Sequence, residues 1–311
     1  MATTFAAASG ITAIDTRMAG REGLTSAYLL ESEEPCLVES GPTTSADAVQ
    51  EGLSVLGVGP DDLAHIAVTH IHLDHAGGAG ELARRYPRAT VWVHERGAPH
   101  LVDPAKLVAS ATRVYGEEEM DRLFGPVHPI PADRVRALEG GDVLPLGPRR
   151  RLDVVYTPGH AGHQVAFVDS ESEALFTGDA LGIYLNDVRI LRPATPPPEF
   201  DLELAVGSIR AIAGREPSRL LFSHFGPADH VEHLCTLAIR RAEKWVGLVR
   251  EILRETDDLD RVTDLLTEAT AAEFNPQGAD PGIVERHELL SSVRMNAMGI
   301  LRYLTRERAK A

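Results

Sequence analysis

Cysteine is scarce in this chain: Cys36 and Cys235 are the only two among 311 residues. They lie far apart and in no metal-ligand spacing, which argues against a disulfide framework and against a thiolate-held metal. Buried free thiols are the plain expectation. Long apolar runs are also missing, and no stretch approaches the roughly 20 residues of a membrane span. The N-terminal MATTFAAASG lacks the basic region and apolar length of a secretion signal, so a cytoplasmic protein is expected. Positive charge is in deficit, with a formal net charge of −15. Such a chain repels phosphate backbones, which disfavours a nucleic-acid partner. The basic run PRRR at 148–151 is too short to reverse that and reads as a solvated turn.

What is present is enough apolar sequence, 43% of residues, to bury one sizeable core and a smaller appended unit. No internal repeat is visible. The first two thirds alternate strand and helix signals. Strands are expected at 11–16, 26–32, 35–41, 65–70, 89–95, 134–140, 151–158, 164–170, 173–179 and 219–225. The pair around SES at 170–172 reads as a hairpin. Helices are expected at 45–57, with Ser45 as N-cap, at 77–87 and at 201–213. Residues 103–136 look like an insertion with two short helical stretches. The segment LRPATPPPEFD at 191–201 is too proline-rich for a helix or a central strand and is expected to be a rigid loop. From about residue 229 onward the pattern is helical, with a turn at NPQGADPG and one helix spanning GIVERHELLSSVRMNAMGILRYLTRE. The domain reading is therefore a catalytic domain over 1–228 and a helical region over 229–311.

The stretch THIHLDHAGG at 69–78 places three histidines and an aspartate in six consecutive positions behind an apolar strand. These are poor core and poor strand residues, so the cluster calls for a chemical reason. His160, Asp179 and His224 follow other strands in the same way. Side chains at the same end of neighbouring strands converge. His70, His72 and His160 suit one metal ion, Asp74, His75 and His224 suit a second, and Asp179 reaches both. Ligation by nitrogen and oxygen alone suits zinc, manganese or iron. His70 and His72 are two apart, so on an extended segment they point the same way. Gly77 and Gly78 let the following turn approach the metal without a Cβ clash. Isolated histidines such as His65, His94 and His128 read as ordinary surface or core residues.

These strings, together with TPGHAGH, LFTGDAL and SHFGP in order, resemble the metallo-β-lactamase-fold hydrolase superfamily over roughly residues 10–228. The resemblance implies a four-layer αββα sandwich, here with a C-terminal helical extension, and a metal site at one edge of the sheets. All seven ligand positions are filled. Antibiotic-hydrolysing members of the commonest class carry a cysteine where this chain has Asp179, so a true β-lactamase is not expected. The glyoxalase II-like and lactonase-like branches fit better, although SHFGP around His224 departs from the usual glyoxalase II string.

The function expected is hydrolysis of a small ester, thioester or lactone by a hydroxide bridging two divalent ions, with zinc first and iron or manganese as alternatives. Asp74 has a second role in orienting that hydroxide or passing its proton on. Tyr184 is the candidate for assisting the carbonyl oxygen, with a loop or pocket-wall aromatic as the plainer reading. His163 either contacts the site or caps the next strand. The partner expected is a small-molecule substrate, with no nucleic acid and no membrane. The apolar face at 289–304 is read as packing onto the main domain, with a lid or a homodimer interface as alternatives. Two other readings stay open: a mononuclear iron dioxygenase of the same fold acting on sulfur compounds, and a non-catalytic metal-binding module. Substrate choice is assigned to the 103–136 insertion, the 191–200 loop and the C-terminal helices.

Overall fold

A computed structural model describes residues 2–274 and 281–310 of the chain. The turn expected at 275–282 falls for the most part outside the described residues. The chain divides into two units: Met1–Tyr156, His163–Gly178 and Pro217–Asp229 form the first, and Thr157–Gly162, Asp179–Glu216 and His230–Ala311 the second.

The first unit is built on two sheets. One runs in spatial order through β1 (Thr4–Ala8), β2 (Ile11–Asp15), β3 (Ser26–Leu30), β4 (Cys36–Val38), β5 (His65–Ala67), β6 (Thr90–His94) and β7 (Val135–Leu138). Its first four strands pair antiparallel, and β4 to β7 pair parallel. Parallel neighbours need crossover connections, and these carry α1 (Ala46–Val55), α2 (Leu73–Ala76), α3 (Ala79–Arg85), α4 (Ala98–Val102), α5 (Ala105–Tyr115) and the short turn α6 (Glu117–Glu119). The other sheet contains β8 (Val143–Pro145), β9 (Arg151–Tyr156), β10 (Val165–Asp169), β11 (Ala174–Gly178), β14 (Arg219–Phe222) and β15 (Gly226–Ala228). The expected hairpin is present, with Phe167 opposite Phe176.

Alternation along the strands explains the layering. Tyr28, Val38 and Ala67 of the first sheet pack with Leu152, Val154, Phe167 and Phe176 of the second. The Tyr28 and Phe176 rings meet edge-on at 5.4 Å. The opposite face of the first sheet, with Leu29, Leu37, Ile66 and Val91, is covered by Val49 and Leu53 of α1 and Leu82 of α3.

Several sequence expectations need correction here. Ser45 makes no side-chain capping bond: a 3-10 turn over Thr43–Ser45 leads into α1, and Ser45 already has helical angles. The strand expected at 65–70 ends at Ala67, because the chain leaves the sheet to present the histidines. The run at 148–151 is not wholly solvated. Arg150 is 2% exposed and grips Asp169 with two bonds of 2.7 and 2.9 Å. Its remaining donors reach the carbonyls of Gly10 and Glu31 at 3.0 and 2.8 Å. One guanidinium thus ties the end of β10 to the β1–β2 turn and the end of β3, which lie in different sheets. A planar fork with five donors satisfies that many acceptors where a lysine does not.

The second unit has its own core. A two-stranded ribbon pairs β12 (Ile183–Leu185) with β13 (Ile190–Arg192), and β13 takes in residues 191 and 192 of the stretch read as loop. The helices are α7 (Leu202–Ala213), α8 (Val231–Ile252), α9 (Leu259–Phe274), α10 (Pro281–Leu290) and α11 (Val293–Lys310). Asp201 caps α7 by accepting from Leu204 N at 3.1 Å. Trp245, Val246, Leu266, Ala297 and Ile300 share one apolar cluster, which is where the 289–304 face is spent. The single C-terminal helix expected over 282–307 is two helices. Ser292 Oγ accepts from Met295 N at 3.1 Å, an N-cap that starts α11, and Glu288 accepts from Val293 N at 3.1 Å.

Two stability predictions follow from buried ionisable groups. Arg150→Met leaves Asp169 buried without its ion partner, so urea denaturation is expected to show a loss of about 3–5 kcal/mol. A loss within the scatter of surface substitutions would contradict the bridging role. In the second unit His287 is buried and pushed down from 6.5 to about 4, by burial first and then by the Arg192 charge. Its folded pKa is depressed, so the folded protein does not take up the proton that the unfolded chain binds below 6.5. The His287 contribution is therefore intact above pH 6.5 and lost as pH falls toward 4, at up to about 1.4 kcal/mol per pH unit. Urea midpoints at pH 7 and pH 5 should differ more for wild type than for His287→Gln; equal differences would contradict it.

Candidate metal centre

The histidine string occupies the crossover after β5. Its residues 70–72 belong to no helix or strand, His72 has extended angles, and Asp74 and His75 lie in the short helix α2. His70 Nε2 and His72 Nδ1 converge to 3.1 Å, as expected for an i, i+2 pair on extended chain. Within the first unit, Asp74, His75 and His224 also come together. His224 Nε2 lies 3.1 Å from His75 Nε2 and 3.3 Å from Asp74 Oδ2, and His75 Nε2 lies 3.5 Å from the same oxygen. The second unit holds His160 and Asp179, with His160 Nε2 at 3.7 Å from Asp179 Oδ2.

The partners of the outer ring nitrogens decide the chemistry. His224 Nδ1 faces the Leu24 carbonyl at 3.3 Å, and His160 Nδ1 faces the Ala194 carbonyl at 3.0 Å. A carbonyl only accepts, so both imidazoles carry their proton on Nδ1. His75 Nδ1 donates to Glu39 Oε1 at 3.1 Å. His70 Nδ1 lies 3.0 Å from Thr69 Oγ1, whose own hydrogen goes to Glu39 Oε1 at 2.6 Å, so His70 also donates from Nδ1. The inward nitrogens of His75 and His224 are therefore lone-pair acceptors facing each other and a carboxylate. Three acceptors within 4.8 Å of one another call for a cation between them, and a metal ion or a proton can fill that role. Where that cation is a proton, the charge on His75 and the hydrogen bonds from His224 and His75 outweigh burial, which opposes ionisation, and hold the Asp74 carboxyl well below its usual range. These donors fit a divalent ion of the zinc, manganese or iron type.

Glu39 is the residue that sequence reasoning missed. It is 2% exposed and stands at the end of β4 with a left-handed backbone, φ 68°. Its Oε1 accepts from Thr69 Oγ1, His75 Nδ1 and Ser223 Oγ, the last at 2.8 Å, and so orients two of the ligand-bearing segments, 69–75 and 223–224. The signal was an acidic side chain closing an apolar strand in VESG, the same placement that marked the ligands. The segment after Glu39 is lashed to the ligand turn. Ser40 N and Oγ both donate to the His75 carbonyl at 2.9 and 2.8 Å, and Thr43 Oγ1 donates to the Gly77 carbonyl at 2.8 Å. Gly78 is needed for this packing of backbone on backbone, since a Cβ there would lie 2.9 Å from the Pro42 oxygen; at Gly77 a Cβ would lie 2.4 Å from the Leu73 oxygen of its own turn. That is a different reason from the close approach to metal inferred from the sequence.

His163 does contact this region. Ile71 N donates to its Nδ1 at 3.4 Å, and its ring is parallel to His70 at 6.1 Å and edge-on to His72 at 5.6 Å. Tyr115, from the insertion, is 42% exposed; desolvation pushes its phenol up, and the Asp74 charge adds to that. Tyr184 is buried in β12 of the second unit, and burial pushes its phenol up, which keeps it a hydrogen-bond donor.

With fold and site in view, the chain's membership is plain: it belongs to the metallo-β-lactamase superfamily, whose sequence profile matches residues 20–224. The metallo-beta-lactamase fold-containing protein ST1585 of Sulfurisphaera tokodaii is 33% identical over 181 residues, 56% of this chain and 66% of that protein. The N-acyl homoserine lactonase AiiA of Bacillus thuringiensis subsp. kurstaki is 29% identical over 228 residues, 63% of this chain and 79% of that one. The crystal structure of ST1585 from Sulfolobus tokodaii matches with a TM-score of 0.68 at 23% identity, over 94% of this chain and 98% of that one. That likeness speaks for the fold, the αββα class expected, and the C-terminal extension is helical. No helix among the described residues is long and apolar enough to cross a membrane.

If Glu39 orients the ligands, Glu39→Gln should weaken zinc binding about 10–100-fold in a chelator-competition titration, with the far-UV circular dichroism unchanged. Zinc affinity equal to wild type would show that the hydrogen bonds to Glu39 do not matter to the site.

Proposed function

We propose that the chain is a dinuclear metal-dependent hydrolase of a small ester, thioester or lactone. His70, His72 and His160 would hold one ion and Asp74, His75 and His224 the other, with Asp179 shared. The observation that carries this reading is the convergence of Asp74 Oδ2, His75 Nε2 and His224 Nε2, with the Nδ1 atoms of the two imidazoles turned outward to the Glu39 carboxylate and the Leu24 carbonyl. A complete Asp-His-His set beside the His70–His72 pair favours two ions over the single iron of an oxygenase. The order of the motifs along residues 20–224 supports bringing His160 and Asp179 into the same set.

When bound, divalent ions of this type lower the pKa of a water to about 7 and act as Lewis acids on a carbonyl. The chain's own residues do the rest. Asp74 is ionised and partly exposed, so its carboxylate can orient an attacking water and carry a proton toward the leaving group. Tyr184 is the donor proposed for the substrate carbonyl oxygen; its phenol stays protonated. Glu39 keeps His75 from rotating, and the Leu24 carbonyl does the same for His224.

The first test is elemental analysis of purified protein. About two ions of zinc, manganese or iron per chain are expected, and about one iron with no second metal would contradict the reading. With thioesters and lactones as substrates, Asp74→Ala and His160→Ala should each lose about a hundredfold or more in kcat while remaining folded. Wild-type rates in either variant would overturn the assignment of that residue.

A further inference from the structure

The C-terminal helices reach a ligand through a loop. His160 lies in the 157–162 turn, and its Nδ1 donates to the Ala194 carbonyl at 3.0 Å. Ala194 is in the proline-rich segment between β13 and α7, which has no strand ladder of its own to hold it. What holds it is α11. Asn296, 1% exposed, accepts at Oδ1 from Thr195 N and from Thr195 Oγ1, both at 2.7 Å. Its Nδ2 donates to Ser291 Oγ at 2.7 Å and to the Ser292 carbonyl at 3.0 Å. Both ends of the amide are committed, so its orientation is fixed. At Gly299, also in α11, a Cβ would stand 1.8 Å from the Thr195 oxygen, so helix and loop backbones are in direct contact. The same segment clamps the 157–162 turn elsewhere: Glu199 accepts from Gly162 N at 2.8 Å, and Asp201 N donates to the Gly159 carbonyl at 2.9 Å.

We propose that Asn296 is a positioning residue for His160: by locking Thr195 it fixes the neighbouring Ala194 carbonyl, which turns the His160 imidazole so that Nε2 faces Asp179. The C-terminal extension then tunes the metal site without supplying a ligand. The inference rests on the reading of His160 as a metal ligand. It explains why the helix break at Ser291–Ser292 sits where it does, since both serines are partners of the Asn296 amide.

The test compares Asn296→Ser with Tyr303→Phe in the full chain. Tyr303 is on the same helix but bonds to Glu203 of α7, at 2.7 and 2.8 Å, and not to the loop. Zinc affinities are read by competition with a chelating dye, and stability by urea denaturation. Wild type is expected to bind two ions. Asn296→Ser should bind one as tightly as wild type and the other about 10–100-fold more weakly. Tyr303→Phe should keep both affinities even though its urea midpoint falls. Should Asn296→Ser not fold, Gly299→Ala displaces the loop from the same side and should weaken the same ion. Unchanged zinc affinities in the loop variants, or a loss in all variants that simply follows stability, would overturn the inference. A wild type that binds no zinc would overturn the metal-site reading, and this inference with it.

Discussion

The Asp-His-His cluster of the first unit depends on one carboxylate oxygen. Glu39 Oε1 accepts from Thr69, His75 and Ser223, and these residues lie beside or among the candidate ligands His70, His75 and His224. An oxygen with a full charge can hold that many donors in a dry interior, where a neutral acceptor would leave one of them unpaired. The consequence runs inward. Thr69 must give its hydrogen to Glu39, so it takes one from His70. His75 donates outward, so its Nε2 is the nitrogen turned toward Asp74 and His224. The local tautomers follow from a residue that touches no metal.

The second unit reaches a similar end by another route. There the backbone carbonyl of Ala194 sets the His160 tautomer, and a buried amide on α11 holds that carbonyl in place. A charged hub suits the first unit because several side chains converge on it. A carbonyl suits the second because a single ring needs fixing. In both, the ligand is oriented by a group from a different secondary-structure element, so each ligand is only as precise as the packing beneath it.

How much of this was legible from sequence varies with the range of the cause. The ligand string was legible because its spacing is local: His70 and His72 converge through extended-chain geometry alone. The hairpin at β10–β11 and the helix α7 were legible for the same reason. Glu39 was not, because its partners lie 30, 36 and 184 residues away. Arg150 was misread because a basic run looks solvated until a buried aspartate 19 residues on claims one member. The break between α10 and α11 turns on Ser292 capping a helix where the apolar pattern runs straight through. Of the glycines after the histidine string, Gly77 meets only Leu73 of its own turn, whereas Gly78 meets Pro42, a contact that only tertiary packing reveals.

The most direct measurement of the central claim is long-range nitrogen-15 NMR of the histidine rings in the zinc-loaded protein. Nδ1 should be protonated and Nε2 metal-shifted at His70, His75, His160 and His224, and the reverse at His72. A metal-shifted Nδ1 at His75 or His224 would contradict it, since Glu39 and the Leu24 carbonyl would then not be what sets the ligand geometry.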